Sequence, residues 1–165
     1  MELYDKYLNN TLRFLKFRGR SEKEIRDYLH AKKAPPEISE KIISYCKDLK
    51  FIDDEKFAVD WVRSRSTYRI KGKKIIKVEL IKKGIDPEII EKALSGLQEN
   101  ESINTDLDLV KKLVKQRANR YKNVPRQEIY QKLGSFLFRR GFEWDAIKQA
   151  IDSELGLEYN KQNRQ

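Results

Sequence analysis

Apolar residues recur along the whole chain at intervals of three and four, with charged residues between them. This is the spacing of one helix face, not the alternation of a half-buried strand. The first segment lines up Tyr4, Tyr7, Leu8, Thr11, Leu12 and Leu15 and breaks at Gly19. Ser21 and Glu24 then form the pattern S-x-x-E, a capping box in which hydroxyl and carboxylate satisfy each other's backbone N–H groups. It opens a second helix with an inner stripe of Ile25, Tyr28 and Leu29. Pro35-Pro36 ends that helix and starts a third, because a first-turn proline lacks an N–H that would be unpaired there anyway. In the third helix Ile38, Ile42, Ile43 and either Tyr45 or Cys46 face inward.

The pattern then starts again. Asp53 or Asp54 can cap a helix carrying Phe57, Ala58, Trp61 and Val62, which Gly72 breaks. Ile75, Ile76 and Leu80 mark the next helix, ending at Gly84 as a left-handed C-cap. Asp86-Pro87 begins another, with Ile89, Ile90, Ala93 and Leu94. After a polar linker, Gln98 to Thr105, a second capping pair of Thr105 and Asp108 opens a long helix with Leu107, Val110, Val114, Ala118 and Tyr121. Pro125 opens a helix holding Ile129, Leu133, Phe136 and Leu137, closed by Gly141, and the last helix carries Trp144, Ile147, Ile151 and Leu155.

Self-comparison makes the repeat explicit. Lys33–Ile43 (KAPPEISEKII) and Gly84–Leu94 (GIDPEIIEKAL) agree at five of eleven positions, and Gly141–Ile151 keeps the glycine, the acidic pair and the apolar spacing. The expected fold is all-α: three tandem three-helix repeats at 1–50, 51–102 and 103–156, with a frayed polar tail at 157–165. Each unit is too short to bury a large core alone, so an elongated, curved array of stacked neighbours is expected.

Composition narrows the function. No run approaches the roughly 18 apolar residues of a membrane span, and the first 20 residues lack the apolar stretch of a secretory signal. The single cysteine, Cys46, leaves no internal disulfide and suits a reducing cytosol, so a cytoplasmic protein is expected. One histidine, His30, offers neither a zinc site nor a histidine-based catalytic centre. Asp53 and Asp54 read as helix caps, and the isolated glycines as helix ends; no metal, cofactor or catalytic set is expected.

The charge is informative. Against 26 acidic residues stand 36 Lys and Arg, a net +10. Two stretches without an acid concentrate the excess. One holds Arg63, Arg65, Arg69, Lys71, Lys73, Lys74 and Lys77; the other holds Lys111, Lys112, Lys115, Arg117, Arg120, Lys122 and Arg126. Tyr68 and Tyr121 lie inside them, and Arg139-Arg140 precede Gly141. Such runs suit a polyanion, with cations on phosphates and aromatic faces on unpaired bases. The contact candidates are Arg63, Arg65, Tyr68, Arg69, Lys71, Lys73, Lys74, Lys77, Lys111, Lys115, Arg120, Lys122, Arg126, Arg139 and Arg140.

Several segments, in order, resemble the RecX family of bacterial recombinase regulators: Phe51–Ala58 with Trp61-Val62-Arg63, Glu79–Ile85, and Phe136–Phe142. Arg18–Leu29 looks like the family's opening R-x-x-S-x-x-E-L, with Ile25 for the leucine. The likeness runs from about Leu12 to Ile151. Lys33 and Lys50 stand where the family commonly has glycine. The resemblance implies a protein of tandem three-helix repeats that lies along the RecA filament and suppresses its ATPase, strand-exchange and co-protease activities; a non-enzymatic monomer is expected. Contact with single- or double-stranded DNA would be secondary. The competing expectation is a free-standing DNA-binding protein, since three-helix units can resemble helix-turn-helix modules.

Overall fold

The structure is a computed structural model that describes residues 2–99, 105–121 and 124–156. The first repeat comprises α1 (Glu2–Lys16), α2 (Glu22–Ala31) and α3 (Pro36–Asp48). The second comprises α4 (Asp54–Thr67), α5 (Lys73–Lys82) and α6 (Pro87–Glu99). In the third, α7 (Asp106–Arg117) tightens into a 3₁₀ turn at Ala118–Tyr121. Its middle helix is α8 (Arg126–Ile129), a π turn at Tyr130–Gly134, then α9 (Ser135–Arg139), and α10 (Trp144–Glu154) follows. Among the described residues there is no strand. The continuous helices expected through Tyr121 and from Pro125 to Gly141 thus change pitch. The expected tail at 157–165 lies outside the described residues, as does most of the linker.

The chain forms two compact units. The first takes Met1–Val62 and Val78–Leu94; the second takes Arg63–Lys77 and Ser95–Gln165. In the first, Ile25 and Leu29 of α2 meet Ile42, Ile43 and Cys46 of α3 and Ile52, with Tyr4, Leu8 and Leu12 of α1 against them. Cys46, not Tyr45, faces inward. In the second, Leu109, Val110, Leu113 and Val114 of α7 pack with Leu133, Leu137, Phe142, Ile147, Ala150, Ile151 and the distant Ile70. The inner face of α7 therefore includes Leu109 and Leu113, while the expected Leu107 and Tyr121 pack at its edge.

Four helices end alike. Ala34, Phe51, Ile85 and Phe142 donate backbone N–H bonds to the carbonyls of Leu29, Cys46, Leu80 and Leu137, five residues back. The residue before each is left-handed: Lys33 (φ 58), Lys50 (φ 57), Gly84 (φ 75) and Gly141 (φ 87). These are Schellman ends, which a glycine fits without strain. Two of the four have lysine in that place.

The repeats join by a shared device. Ser21 caps α2 through Glu24 N–H, and Glu24 reaches back to the Ser21 N–H. The next α2 donor, Glu22 N–H, goes to the Asp54 carboxylate at 2.9 Å, and Ser21 Oγ donates to the Lys83 carbonyl at 2.7 Å. Asp53, meanwhile, is the residue that caps α4, accepting from Lys56 N–H. One repeat on, Asp106 accepts from Lys73 N–H at the start of α5, and Gly72 N–H donates to the Arg140 carbonyl at 2.8 Å. So the start of each following repeat, and the end of its middle helix, hold the first turn of the preceding middle helix. Burial raises Asp54 and Asp106 above the usual carboxylate range, against the N–H bonds that favour their charge.

Gly72 is not left-handed; that role falls to Ile70 (φ 39), so α4 ends at Thr67, before the expected break. Gly72 is small because a Cβ there would collide with the Gly141 carbonyl, and a Cβ on Gly141 would lie 2.8 Å from Ile75 N.

Lys33→Gly and Lys50→Gly should each raise unfolding free energy by about 0.5–1 kcal/mol, as left-handed strain is relieved and unfolded-chain entropy partly offsets the gain; chemical denaturation will show it. Gly72→Ala should destabilise by about 1–3 kcal/mol in the same assay, as an overpacked contact. Glu24 gives a pH test. Burial raises it, but hydrogen bonds from Arg18 and Lys83 outweigh this and take it from 4.5 to about 2. A depressed carboxylate contributes stability above its unfolded value and loses it as pH falls. Stability of the intact chain should therefore drop from about pH 4.5 to 2, and Glu24→Gln should flatten that part of the profile.

Candidate polyanion-binding surface

Of the 36 basic and 26 acidic residues, 20 and 10 fall in the second unit, which leaves 16 and 16 for the first. The first unit is neutral, and the whole net +10 belongs to the second. In the first unit acids answer bases at close range. Glu22 takes Arg26 and Lys47, and Glu24 takes Arg18 and Lys83 at 2.7 and 2.8 Å.

The second unit places its basic segments around one joint. The chain from Tyr68 to Gly72 is anchored by Ile70, only 7% exposed and set among the side chains of that unit's core. Positive φ is costly for a β-branched residue, so Ile70 needs outside support. Arg140 gives it: its guanidinium donates to the carbonyls of Arg69 and Ile70 at 3.1 and 3.2 Å. The same group lies 4.7 Å from the centre of the Phe136 ring, which also carries Arg117 at 4.2 Å. Phe136 thus holds two guanidiniums, and burial together with the Arg117 charge lowers the Arg140 pKa. Arg117 comes from the second basic run, so this joint gathers residues from both runs and the Arg139-Arg140 pair.

The candidates divide at this point. Arg63, Arg69, Arg120 and Arg139 are exposed and make no ion pair among the described residues. Tyr68 is 83% exposed. Lys74 pairs with Glu143 at 2.9 Å and Lys115 with Glu154 at 3.4 Å, both at the surface, where such pairs are weak. Lys77 is exposed, and Arg65, Lys71, Lys73 and Lys111 are half-buried. Arg126 is engaged inside the unit, bonded to Asp152 at 2.9 Å and to the Tyr130 hydroxyl, which also bonds Asp152. Arg140 is likewise occupied as a clamp. Lys122 lies outside the described residues.

Local spacing could not reveal the roles of Phe136 and Arg117. Phe136 sits at a core position of the helical stripe, and its two cations come from elsewhere in the chain. Phe138, 57% exposed beside Arg139, was also missed. Its signal is an apolar residue off the helical stripe. Trp61 corrects the expectation of a core ring. It is half-buried, stacks on Phe57, donates its indole N–H to Glu79 at 2.9 Å and lies under Lys83. Tyr121, the other aromatic of the basic runs, packs against the core. Among the described residues no group of three or more His, Cys, Asp or Glu could hold a metal ion, and no helix is long and apolar enough to cross a membrane.

Comparison with known proteins gives one answer for all three repeats. Residues 8–46, 53–94 and 104–151 match the first, second and third three-helix domains of RecX. Regulatory protein RecX of Geobacillus sp. (strain WCH70) is 36% identical over 90% of this chain and 54% of its own length. RecX of Bacillus subtilis (strain 168) is 33% identical, over 89% and 54%. The chain spans about half the length of these two relatives. RecX of Mycolicibacterium smegmatis is 33% identical over 91% of this chain and 80% of its own length. The crystal structure of RecX from Lactobacillus salivarius superposes with a TM-score of 0.78 at 31% identity, covering 95% of this chain and 99% of that one. With its three helical domains matched in order, and a third of the aligned residues identical to a RecX matched over four fifths of its length, the chain belongs to the RecX family.

Proposed function

We propose that this chain is a non-enzymatic regulator that binds the RecA filament on single-stranded DNA and lowers its ATP turnover, strand exchange and co-protease activity. Membership of the RecX family carries the reading. The repeat architecture supplies the means. A filament presents the same surface at every subunit, and repeats linked in one chain can engage neighbouring subunits together. Modest contacts then add, because after the first each is intramolecular. A regulator that bridges subunits resists the rearrangements of ATP turnover without any chemistry of its own. The repeat boundaries that we assign to this work are 1–50, 51–102 and 103–156, acting as a cytoplasmic monomer.

The charge of the second unit supports a second reading, a free-standing DNA-binding protein. The two part on whether the recombinase is needed for the effect.

ATP hydrolysis by the cognate RecA on single-stranded DNA, with this protein titrated in at physiological salt, is the test. Inhibition should be complete well below one molecule per recombinase subunit. Tight binding to bare DNA, together with unchanged hydrolysis under saturating protein, would leave the second reading.

A further inference from the structure

We propose that the second unit holds the chain's nucleic-acid site, and that its ligand is the phosphate backbone of a single strand, gripped at the joint that Arg140 clamps. This deepens the filament reading, on which its biological setting rests, by naming which component of the filament the basic unit touches. It also says that the neutral first unit does not share that contact.

Three observations converge. First, the charge is partitioned. A neutral unit and one of net +10 within a single chain mean that a polyanion is drawn to the second alone. Second, the cations there are left available. Arg69, Arg120 and Arg139 are exposed without an ion pair among the described residues. Like charges gathered this way repel one another, and phosphates relieve that repulsion.

Third, aromatic rings are interleaved with them. Tyr68-Arg69 and Phe138-Arg139 are two aromatic–arginine pairs, with both rings more than half exposed. The Arg140 bonds to the Arg69 and Ile70 carbonyls bring the two pairs to the same joint. An acidic protein surface would use the cations and ignore the rings. Unpaired bases use both, since each base has a face to stack and each linkage a charge to meet. Paired bases present no free face, which selects a single strand over a duplex.

The test is fluorescence anisotropy of a labelled oligodeoxythymidylate with the intact chain, over a salt series and with no recombinase present. Arg69→Ala, Arg120→Ala and Arg139→Ala combined should weaken binding at least tenfold. They should also flatten the log–log salt slope by about 2, at roughly 0.7 per single-strand phosphate contact. Arg13→Ala, Lys16→Ala and Lys41→Ala, a charge-matched set on the first unit, should leave affinity and slope nearly unchanged. Tyr68→Ala and Phe138→Ala should each cost about tenfold with the slope retained, and Tyr68→Trp should restore binding. Thermal melting of every variant separates lost contacts from lost folding, and Tyr68, being exposed, is the variant expected to keep the parent melting temperature.

Equal losses from both charge sets would overturn the assignment to the second unit. Ring variants that bind like the parent, or polyglutamate competing as well as the oligonucleotide, would overturn the assignment to nucleic acid. Because no recombinase is present, failure here is distinct from failure of the filament reading, which the ATPase titration reports.

Discussion

The first turn of a helix presents backbone N–H groups that its own residues cannot satisfy, and the fold depends on how two of its middle helices meet that demand. Each is only partly served by its own repeat. Ser21 and Glu24 close two groups at the start of α2, but Glu22 N–H reaches the Asp54 carboxylate of the next repeat. Lys73 N–H reaches Asp106 in the same way. A negative side chain at a positive helix end is favourable in itself. Here it also joins repeats, so the local rule of capping becomes a rule of assembly. Three short helices bury little apolar area, and such polar bonds at fixed places set how the next three dock.

Electrostatics then divides the work. In the first unit carboxylates are ringed by cations, and the Glu24 cluster ties the capping box to Lys83. In the second, Arg117 and Arg140 lie on an aromatic ring instead of a carboxylate. A ring face accepts guanidinium groups without cancelling their charge. Phe136 can therefore support Arg117 and Arg140 while the net charge of the surface stays intact. Arg140 is bound into the structure by backbone carbonyls, which are neutral as well. At this joint the charge of Arg117 and Arg140 is held by neutral partners and is not cancelled.

Local chemistry was legible in the sequence. Both capping boxes, the proline start of α3, and the left-handed glycines at 84 and 141 appear where residue type and spacing placed them. What could not be read is what depends on residues far apart in the chain. Asp54 looks like a cap for its own helix, and nothing nearby says that it serves α2, 32 residues away. Arg140 looks like a free cation at a helix end, yet its partners lie 70 and 71 residues earlier. Trp61 sits one turn from buried Phe57, but its indole N–H needs an acceptor, and Glu79 holds it at the surface. Gly134, in the π turn at Tyr130–Gly134, also answers to a distant residue, since a Cβ there would come within 2.9 Å of the Trp144 ring. The acidless runs were visible from the first. Which cations are engaged and which are exposed depends on tertiary partners.

The residue that precedes each middle helix forms a short series of its own: Ser21, Gly72, Pro125. The first gives a hydroxyl proton to the repeat that follows, and the second gives a backbone proton. Proline has neither to give. The device therefore has a direction: at these bonds the earlier repeat donates and the later one accepts. Ser21 and Gly72 each give theirs to an acceptor in the following repeat, and Pro125 holds the equivalent place in the third repeat without one.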